Sequence, residues 1–422
     1  MNNWFNSAIE RAATVSDWLD PQRQASLQLL QQTAWPTRKT EAWKYFPLRA
    51  IEDSTFTAPV HCDAIDVDII EGLNSIDLVF VDGRLVSDIE QLPAGLSVLS
   101  FAQLQANDDL QADNAWAASV FTQVKPSRHV FGLVNDVLAR DGVLIDVAAG
   151  VEITAPIRIV NRVSAGVESH SRVLVRLGNG AKAAVIEESL GDQTGFSTLF
   201  AEYLIADDAA LEHYRFAMQT GTALNIGGSH FKLANRSQLN STLVGLGSKL
   251  SRLDVDVEHG GEFAFAKLNA IYMLADGDLF DLHSTIEHAK PNGTTEENVR
   301  GIVGDRSKAV FNGRIHIHRD AQKTLAELNN RNLLLSNRAE INTKPELEIY
   351  ADDVKCAHGA TVAEIDKQAL YYLQSRGVSK GQAQVMLNFG FINELIEAMP
   401  NQVLAHWLRP QLRDRFAQME VK

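Results

Sequence analysis

Cysteine is scarce in this chain: only two of the 422 residues, Cys62 and Cys356, carry a thiol. Two thiols cannot build the disulfide framework of a small secreted protein, and they are typical of a reducing compartment. Basic residues are also outnumbered, 39 against 53 acidic ones, and the net charge of −14 argues against a nucleic-acid surface. Neither an apolar run of about 18 residues nor a signal-peptide pattern occurs. The sequence therefore predicts a soluble cytoplasmic protein without a membrane span.

What the chain does contain is enough apolar surface for a large core. Apolar residues make up 45% of it and charged residues 22%, a globular composition. The residue pattern changes twice and predicts three regions: a helical and mixed α/β region over 1–140, a β-rich core over 141–360, and a helical region over 361–422. Within the first region, Asp82-Gly83 between two apolar runs predicts a β-hairpin over 78–86.

A loose repeat runs through the β-rich core. A polar turn pair followed by a small or acidic residue recurs, with that third residue at positions 181, 209, 237, 262, 278, 307 and 339. Apart from the shorter interval between 262 and 278, the spacing is on the order of 30 residues, which suits one coil of a β-solenoid. An antiparallel sandwich remains an alternative, but its turns should recur about every 8–12 residues. The pattern favours a mainly β protein with a parallel β-helix core.

The last 60 or so residues carry helical start and stop signals. Asp366 is placed to cap a helix that Gly377 would end, and Ser379 with Gln382 has the form of a capping box. The helix opened by Ser379 is expected to bury Val385, Met386, Phe389, Ile392 and Ile396 and to end at Pro400. A final helix is expected to carry Val403, Leu404, Trp407, Leu408, Leu412 and Phe416.

The most informative candidate site is Cys356 with His358. In an extended segment alternate residues point the same way, so the two side chains would share a face. A thiolate beside an imidazole suits iron, zinc, copper or an iron–sulfur fragment. The pair is nevertheless short of the four ligands of a closed site, and a half-buried cysteine beside a hydrogen-bonded histidine is the alternative. Gly359 and Ala360 predict a tight turn directly after the pair.

Other apparent motifs are incomplete. The segment 245–249 resembles a phosphate loop but lacks its spacing, so no ATPase signature is present. His316 and His318 would share a strand face, yet the sequence indicates no third metal ligand near them. The sequence indicates no complete metal site at His283 and His288 either. No nucleophile elbow occurs, and Cys356 has no assignable general base. The sequence therefore does not predict an independent enzyme.

Several blocks together resemble a known family. They cover residues 36–45, 79–84, 309–313, 343–362 and 372–377. The chain is similar to the SufB/SufD family, the scaffold subunits of the SUF iron–sulfur cluster assembly system, and the block at 343–362 is the most specific. The small number of cysteines, and Arg331 near the position where SufB chains have a scaffold cysteine, indicate the SufD branch.

The resemblance implies a right-handed β-helix flanked by helical regions. It also implies that the chain pairs with SufB through the β-helix and docks the ATPase SufC through its C-terminal helices, so that SufC rather than this chain hydrolyses ATP. Because an open solenoid end or edge presents unpaired backbone groups, the contact with SufB is expected around residues 305–350. His358 matches the family histidine at the nascent cluster site on the SufB interface, and Cys356 matches the neighbouring cysteine.

No cluster is expected to bind the isolated chain tightly. A homodimer of the isolated chain is compatible with this picture, and Cys62, which lies in no motif, is expected to be dispensable. The alternative function is a stand-alone carbohydrate-active β-helix lyase or hydrolase. A hydrolase of that kind needs carboxylates clustered about 5–10 Å apart, and no such cluster is evident on a predicted strand.

Overall fold

The computed structural model describes residues 3–59, 67–89 and 91–419, so Cys62 lies outside the described residues. The protein is mainly β, with 41% strand and 24% helix, and its core is a parallel β-solenoid of about 8 turns. This confirms the predicted fold class over the sandwich alternative. Within the described ranges, no helix combines the length and apolarity needed to cross a bilayer.

The solenoid consists of two sheets, to which successive strands contribute alternately from β4 onward. The strands are β1 Ile76–Val81, β2 Arg84–Leu85, β3 Leu96–Ser100, β4 Asp141–Val147, β5 Ile157–Arg162, β6 Glu168–Leu177, β7 Lys182–Leu190, β8 Phe196–Ile205, β9 Ala210–Ala217, β10 Leu224–Leu233, β11 Gln238–Gly245, β12 Leu250–His259, β13 Phe265–Leu274, β14 Leu279–His288, β15 Thr294–Val303, β16 Lys308–Ile317, β17 Leu325–Leu334, β18 Glu340–Ile349 and β19 Lys355–Glu364. One sheet has the order β19, β17, β15, β13, β11, β9, β7, β5, β1, β2, and the other the order β18, β16, β14, β12, β10, β8, β6, β4, β3. Each coil therefore adds one strand to each sheet.

The solenoid interior is filled by alternate residues of both sheets. Parallel pairing keeps equivalent positions in line: Tyr203, Phe231 and Val257 are successive partners along one sheet and lie in the interior. Residues of one parity, such as Leu253 and Leu282 on neighbouring strands, point into a continuous apolar core. Because each strand has a two-residue period, the residues of the other parity form the outer faces of the two sheets.

The coil corners explain the repeat found in the sequence. At one corner, the backbone N–H of Gly180 donates to Asp207, that of Asp208 to Asn235 and that of Arg236 to Glu262 in the next coil, at 2.8–2.9 Å. The turns that contain positions 181, 209, 237 and 262 lie at this corner, whereas the turns that contain positions 278, 307 and 339 lie at the opposite corner. The short interval between 262 and 278 is therefore the change from one corner series to the other, and the repeat is not a single series.

N-terminal helices cover part of the outer face of the nine-stranded sheet. They are α1 Asn3–Ala12, α2 Asp20–Gln32, α3 Arg49–Glu52, α4 Phe101–Ala106, α5 Asp108–Asp113, α6 Ala115–Val120 and α7 Val130–Leu138, with a 3-10 turn at Glu41–Trp43. Trp4 and Phe131 pack there against Phe196. The predicted hairpin is confirmed: β1 and β2 pair antiparallel, and φ values of 52° and 80° at Asp82 and Gly83 suit a type I′ turn.

C-terminal helices cover the outer face of the ten-stranded sheet. They are α8 Lys367–Ser375, α9 Lys380–Asn388, α10 Gly390–Glu397 and α11 Gln402–Gln418. Leu404, Leu408 and Leu412 of α11 are fully buried in the cluster formed with that sheet. The predicted caps are confirmed, because Asp366 accepts from the backbone of Gln368 and Ala369, and Ser379 accepts from that of Gln382.

One detail of the C-terminal prediction is wrong. The single helix expected after Ser379 is interrupted at Phe389, next to Gly390, a residue with low helix propensity. Met386 was expected to be buried but is 66% exposed. Its neighbour Val385 does pack against the cluster, as expected.

Candidate functional site

The two sheets end at β18 and β19, which form the open end of the solenoid. β18 pairs with β16 and β19 with β17, and each stands last in its sheet order. Nine of the ten residues of β10, in the middle of the solenoid, are buried, whereas none of the ten residues of β19 is. The last coil therefore exposes residues whose equivalents in the middle of the solenoid are covered by the following coil.

Cys356 and His358 lie on β19 in line with buried core residues. Cys356 is the register partner of Ala326 and His358 that of Leu328, and both partners belong to the interior cluster. Since β19 is extended, Cys356 and His358 share the inward face. Cys356 is partly buried and packs against the core, whereas His358 is exposed. The strand thus presents a thiol and an imidazole side by side at the solenoid mouth.

The two side chains differ in their readiness to bind a metal. Burial raises the pKa of the Cys356 thiol, against a smaller lowering effect of a hydrogen bond with the Ala326 backbone. A metal must therefore displace a proton from this sulfur. Among the described residues no hydrogen bond or ion pair engages the His358 ring, so its nitrogens are available. Two potential ligands are fewer than the four of a closed site.

The tight turn predicted at Gly359 and Ala360 is wrong. β19 continues through both residues, and its pairing with β17 extends to Leu334 opposite Glu364. The parallel ladder with β17 holds the whole segment extended, and this outweighs the turn preference of one glycine. A Cβ built on Gly359 would meet no atom within 4 Å, so the chain itself does not require glycine there.

Of the other sequence candidates, His283 and His288 separate in the structure, whereas His316 and His318 stay together, with ring centroids 4.4 Å apart. His283 lies 2.8 Å from Asp281, while His288 stacks on His259 inside the solenoid with ring centroids 4.1 Å apart. His283 and His288 are an odd number of residues apart on β14, so they occupy opposite faces of the sheet. Arg331 is exposed on β17. None of these residues adds a ligand to the open end.

Sequence reasoning missed a buried ionic cluster in the interior. The carboxylate of Glu187 accepts hydrogen bonds from Tyr203 and Ser229, interacts with His213 at 2.8 Å, and forms an ion pair with Arg215. Burial alone would raise the pKa of Glu187, but Arg215 and His213 outweigh it and hold that pKa at about 2. The coil length is the sequence signal that could have revealed this cluster, because Arg215 lies one coil after Glu187 and is its register partner.

A second unrecognised acid, Glu297, points into the core from β15. Its register partner on β17 is Leu328, whose own partner is His358, so the three residues form one inward line. Burial raises the pKa of Glu297 to about 7, against the lowering effect of a 2.6 Å hydrogen bond from Ser284. This carboxyl is therefore the most readily protonated acid near the open end.

Exposed apolar side chains occur at two places on the late part of the molecule. Ile349, the last residue of β18, and Tyr350, directly after it, are 42% and 59% exposed, beside the open end. On α8 and α9, Tyr371 and Met386 are 73% and 66% exposed, on the side away from the solenoid. Large apolar residues grouped on a surface commonly mark a protein interface.

Comparison with known proteins relates the chain to iron–sulfur cluster assembly. Residues 160–391 match the family model "SUF system FeS cluster assembly, SufBD core domain", and residues 4–159 match "SufBD protein N-terminal region". The iron–sulfur cluster assembly protein SufD of Escherichia coli is 34% identical over 409 residues, which cover 94% of this chain and 92% of the relative.

Two further relatives come from Synechocystis and Arabidopsis thaliana. An iron–sulfur cluster assembly SufBD family protein of Synechocystis is 28% identical over 95% of this chain and 93% of its own length. The chloroplastic protein ABCI7 of Arabidopsis thaliana is 29% identical over 93% of this chain and 85% of its own length. These matches favour an assembly role over the carbohydrate-active alternative.

Proposed function

The chain belongs to the SufB/SufD family of iron–sulfur cluster assembly proteins, and from this premise we propose that it is a non-catalytic scaffold subunit of a SUF complex. In this proposal the chain pairs with SufB at the open end of its solenoid and docks the ATPase SufC through its C-terminal helices. The iron–sulfur cluster is the cargo of the complex and forms where the two solenoids meet.

The observation that carries the proposal is the incomplete ligand pair at the solenoid mouth. His358 and Cys356 face the same way on a strand that pairs on one side. A soft sulfur and an imidazole suit iron and iron–sulfur fragments. Because the pair is incomplete, cluster formation requires ligands from the partner, which makes assembly dependent on the complex.

Two features support pairing with SufB at this end. The outer edges of β18 and β19 carry backbone groups that another chain's strands can pair with, as in β-augmentation. Ile349 and Tyr350 supply exposed apolar surface next to those edges. A paralogous chain with the same coil dimensions can extend both sheets at once, which an unrelated protein cannot readily do.

Docking of SufC is supported by the outer side of α8 and α9. Leu370 and Ala383 anchor these helices on the solenoid, while Tyr371, Tyr372 and Met386 remain exposed. An amphipathic helix pair that still carries exposed apolar residues suits a groove on a partner protein. The two proposed partners would thus use separate surfaces.

The cluster-site proposal is tested by His358→Ala in the co-expressed complex. Iron and acid-labile sulfide would be measured after anaerobic purification, with His406→Ala as the matched control because His406 is an exposed histidine on α11. Cluster content should fall to background in His358→Ala and stay normal in the control, with both complexes intact. Normal iron and sulfide in His358→Ala would refute the assignment.

The two docking surfaces are tested by separate exposed substitutions. Ile349→Asp with Tyr350→Asp should release SufB but retain SufC, and Tyr371→Ser with Met386→Ser should do the reverse. Point changes are preferable to removing residues 361–422, because α11 buries Leu404 and Leu408 against the solenoid. Stoichiometry would be read by size-exclusion chromatography with light scattering. Retention of both partners by both variants would contradict the proposed surfaces.

A further inference from the structure

A cluster of two histidines and one glutamate lies on the outer face of the nine-stranded sheet, away from Cys356 and His358. Glu287 of β14 is the register partner of His316 at the end of β16, so their side chains are neighbours. His318 follows two residues later. Each of the three offers a ligand atom, and these atoms lie within 4.8 Å of one another.

From this geometry we propose that Glu287, His316 and His318 form a binding site for a divalent transition-metal ion. His318 Nε2 lies 3.3 Å from Glu287 Oε2, and His316 Nδ1 lies 3.9 Å from Glu287 Oε1. Two atoms bound to one metal at about 2.0–2.2 Å are about 3.0–3.4 Å apart. The Glu287–His318 pair is already at this spacing, whereas His316 has to move closer to Glu287. The site does not depend on the proposed function.

The ligand set defines the class of metal. Two imidazoles and one carboxylate suit zinc, iron(II), cobalt(II) or nickel(II), whereas calcium and magnesium prefer oxygen ligands alone. Three protein ligands leave positions for water, as in a site that exchanges its metal. The side chains of His318 and Glu287 are 43% and 36% exposed, so an ion can reach them directly from solvent.

Arg314 is the one cation in direct contact with the cluster among the described residues. It makes two 2.8 Å hydrogen bonds to Glu348 and lies 3.3 Å from His316 Nδ1 and 3.6 Å from Glu287 Oε1. The bidentate pairing holds Arg314 on Glu348. A metal on His316 would replace only the weaker contact, so Arg314 lowers the affinity without blocking the site.

The other histidine–carboxylate cluster in the described chain carries no such proposal. His129, His230 and Asp256 also converge, but Asp256 already forms an ion pair with Arg128 and contacts both histidines at 2.7 Å. His230 is fully buried, and this cluster lies where α7 meets the sheet. It is accounted for as a packing interaction between the N-terminal region and the solenoid.

Cobalt(II) titration of the untagged full-length chain tests the site, because its visible absorption reports the ligands. The background variant carries Cys356→Ala and His358→Ala, so that the open end cannot contribute. In that background one Co²⁺ should bind per chain. Glu287→Gln, His316→Gln and His318→Gln should each weaken binding at least about tenfold, since even loss of an outer-shell partner costs about 10–100-fold.

Two further variants make the test specific. His406→Gln, on an exposed histidine remote from the cluster, should leave Co²⁺ affinity unchanged, and Arg314→Gln should increase it by removing the competing cation. Urea unfolding midpoints of all variants would verify that they fold. No Co²⁺ binding in the background variant, or binding that the three ligand substitutions leave unchanged, would overturn the proposal. Weaker binding in Arg314→Gln would contradict the assigned role of Arg314.

Discussion

The two ends of the solenoid are built from the same kind of coil but finished differently. At the beginning, the β1–β2 hairpin and β3 add strands to both sheets, and Phe80 and Val98 are buried in the interior cluster. At the other end, β18 and β19 have no equivalent cover in the described part of the chain, and His358 is exposed at an inward-facing position. The molecule thus seals one end with its own chain and leaves the other available to a partner.

The difference also separates two uses of polar residues inside a solenoid. In the closed coils, Glu187 meets Arg215, His213, Tyr203 and Ser229, and its hydrogen-bonding capacity is used within the chain. At the open end, His358 faces inward without such partners in the described structure. Polar groups that are satisfied internally hold the coils together, whereas those left unsatisfied at a mouth are available for a ligand.

The largest effect on stability is expected when a polar residue is replaced by leucine in a closed coil, and the same kind of replacement at the open end provides the comparison. Arg215→Leu leaves the buried Glu187 carboxylate without its cation and should destabilise the fold by about 3–5 kcal/mol. His358→Leu changes an exposed position and should alter stability by less than about 0.5 kcal/mol. Urea unfolding, followed by circular dichroism, would compare the two variants with the parent chain.

A double variant provides the control for this comparison. Glu187→Leu with Arg215→Leu removes both charges and should recover part of the lost stability, because a buried ion pair can be replaced by apolar residues at little cost. Equal losses in Arg215→Leu and His358→Leu would show that the open end is as tightly packed as the closed coils, and the distinction would fail.

The next effect concerns pH and Glu297. Its pKa is raised from 4.5 to about 7 in the fold, so the folded protein binds a proton that the unfolded chain has already lost in this range. The resulting stabilisation is fully present below pH 4.5 and is lost as pH rises toward 7. By proton linkage the loss is about 3 kcal/mol.

Glu297→Gln should remove this pH dependence while keeping the shape and the hydrogen-bonding contact with Ser284. The measurement is the free energy of unfolding at several pH values between 4.5 and 8 for both chains. Subtracting the two curves isolates the contribution of Glu297 from that of other titrating groups. If the difference between the curves stays constant across this range, the carboxyl is solvated in the fold and the interior near the open end is wetter than the structure indicates.

Much of the fold could be predicted because its signals are local or periodic. The type I′ hairpin at Asp82-Gly83 and the caps at Asp366 and Ser379 depend on neighbouring residues only, and all three are confirmed. The coil length followed from turn spacing. What the turns could not show is the corner to which each belongs, since the same polar pair suits both corners.

The long-range contacts could not be read from local patterns. Glu287 and His316 are distant in the sequence and meet because they occupy equivalent positions in consecutive coils. The spatial neighbour of a polar residue on a strand lies one coil length further along the sequence. It can be identified only when the strand register is known without error, since a slip of one residue moves the side chain to the other face of the sheet. The turn at Gly359 was mispredicted for a related reason: the pairing of β19 with β17 is a tertiary contact.

The smallest effect is expected at Cys356. Burial raises the pKa of its thiol, so the sulfur stays protonated at neutral pH until a metal displaces the proton, whereas His358 is exposed and already accessible. Cys356→Ala should therefore reduce the iron and sulfide content of the complex less than His358→Ala does. Because the side chain is only partly buried, the variant should lose no more than about 1 kcal/mol of stability. Anaerobic reconstitution of both variants beside the parent complex, with urea unfolding of each chain, measures the two quantities together. Should Cys356→Ala lose as much cluster as His358→Ala at unchanged stability, the thiol is an equal ligand, and the contrast between a packed sulfur and an open imidazole at the solenoid mouth must be given up.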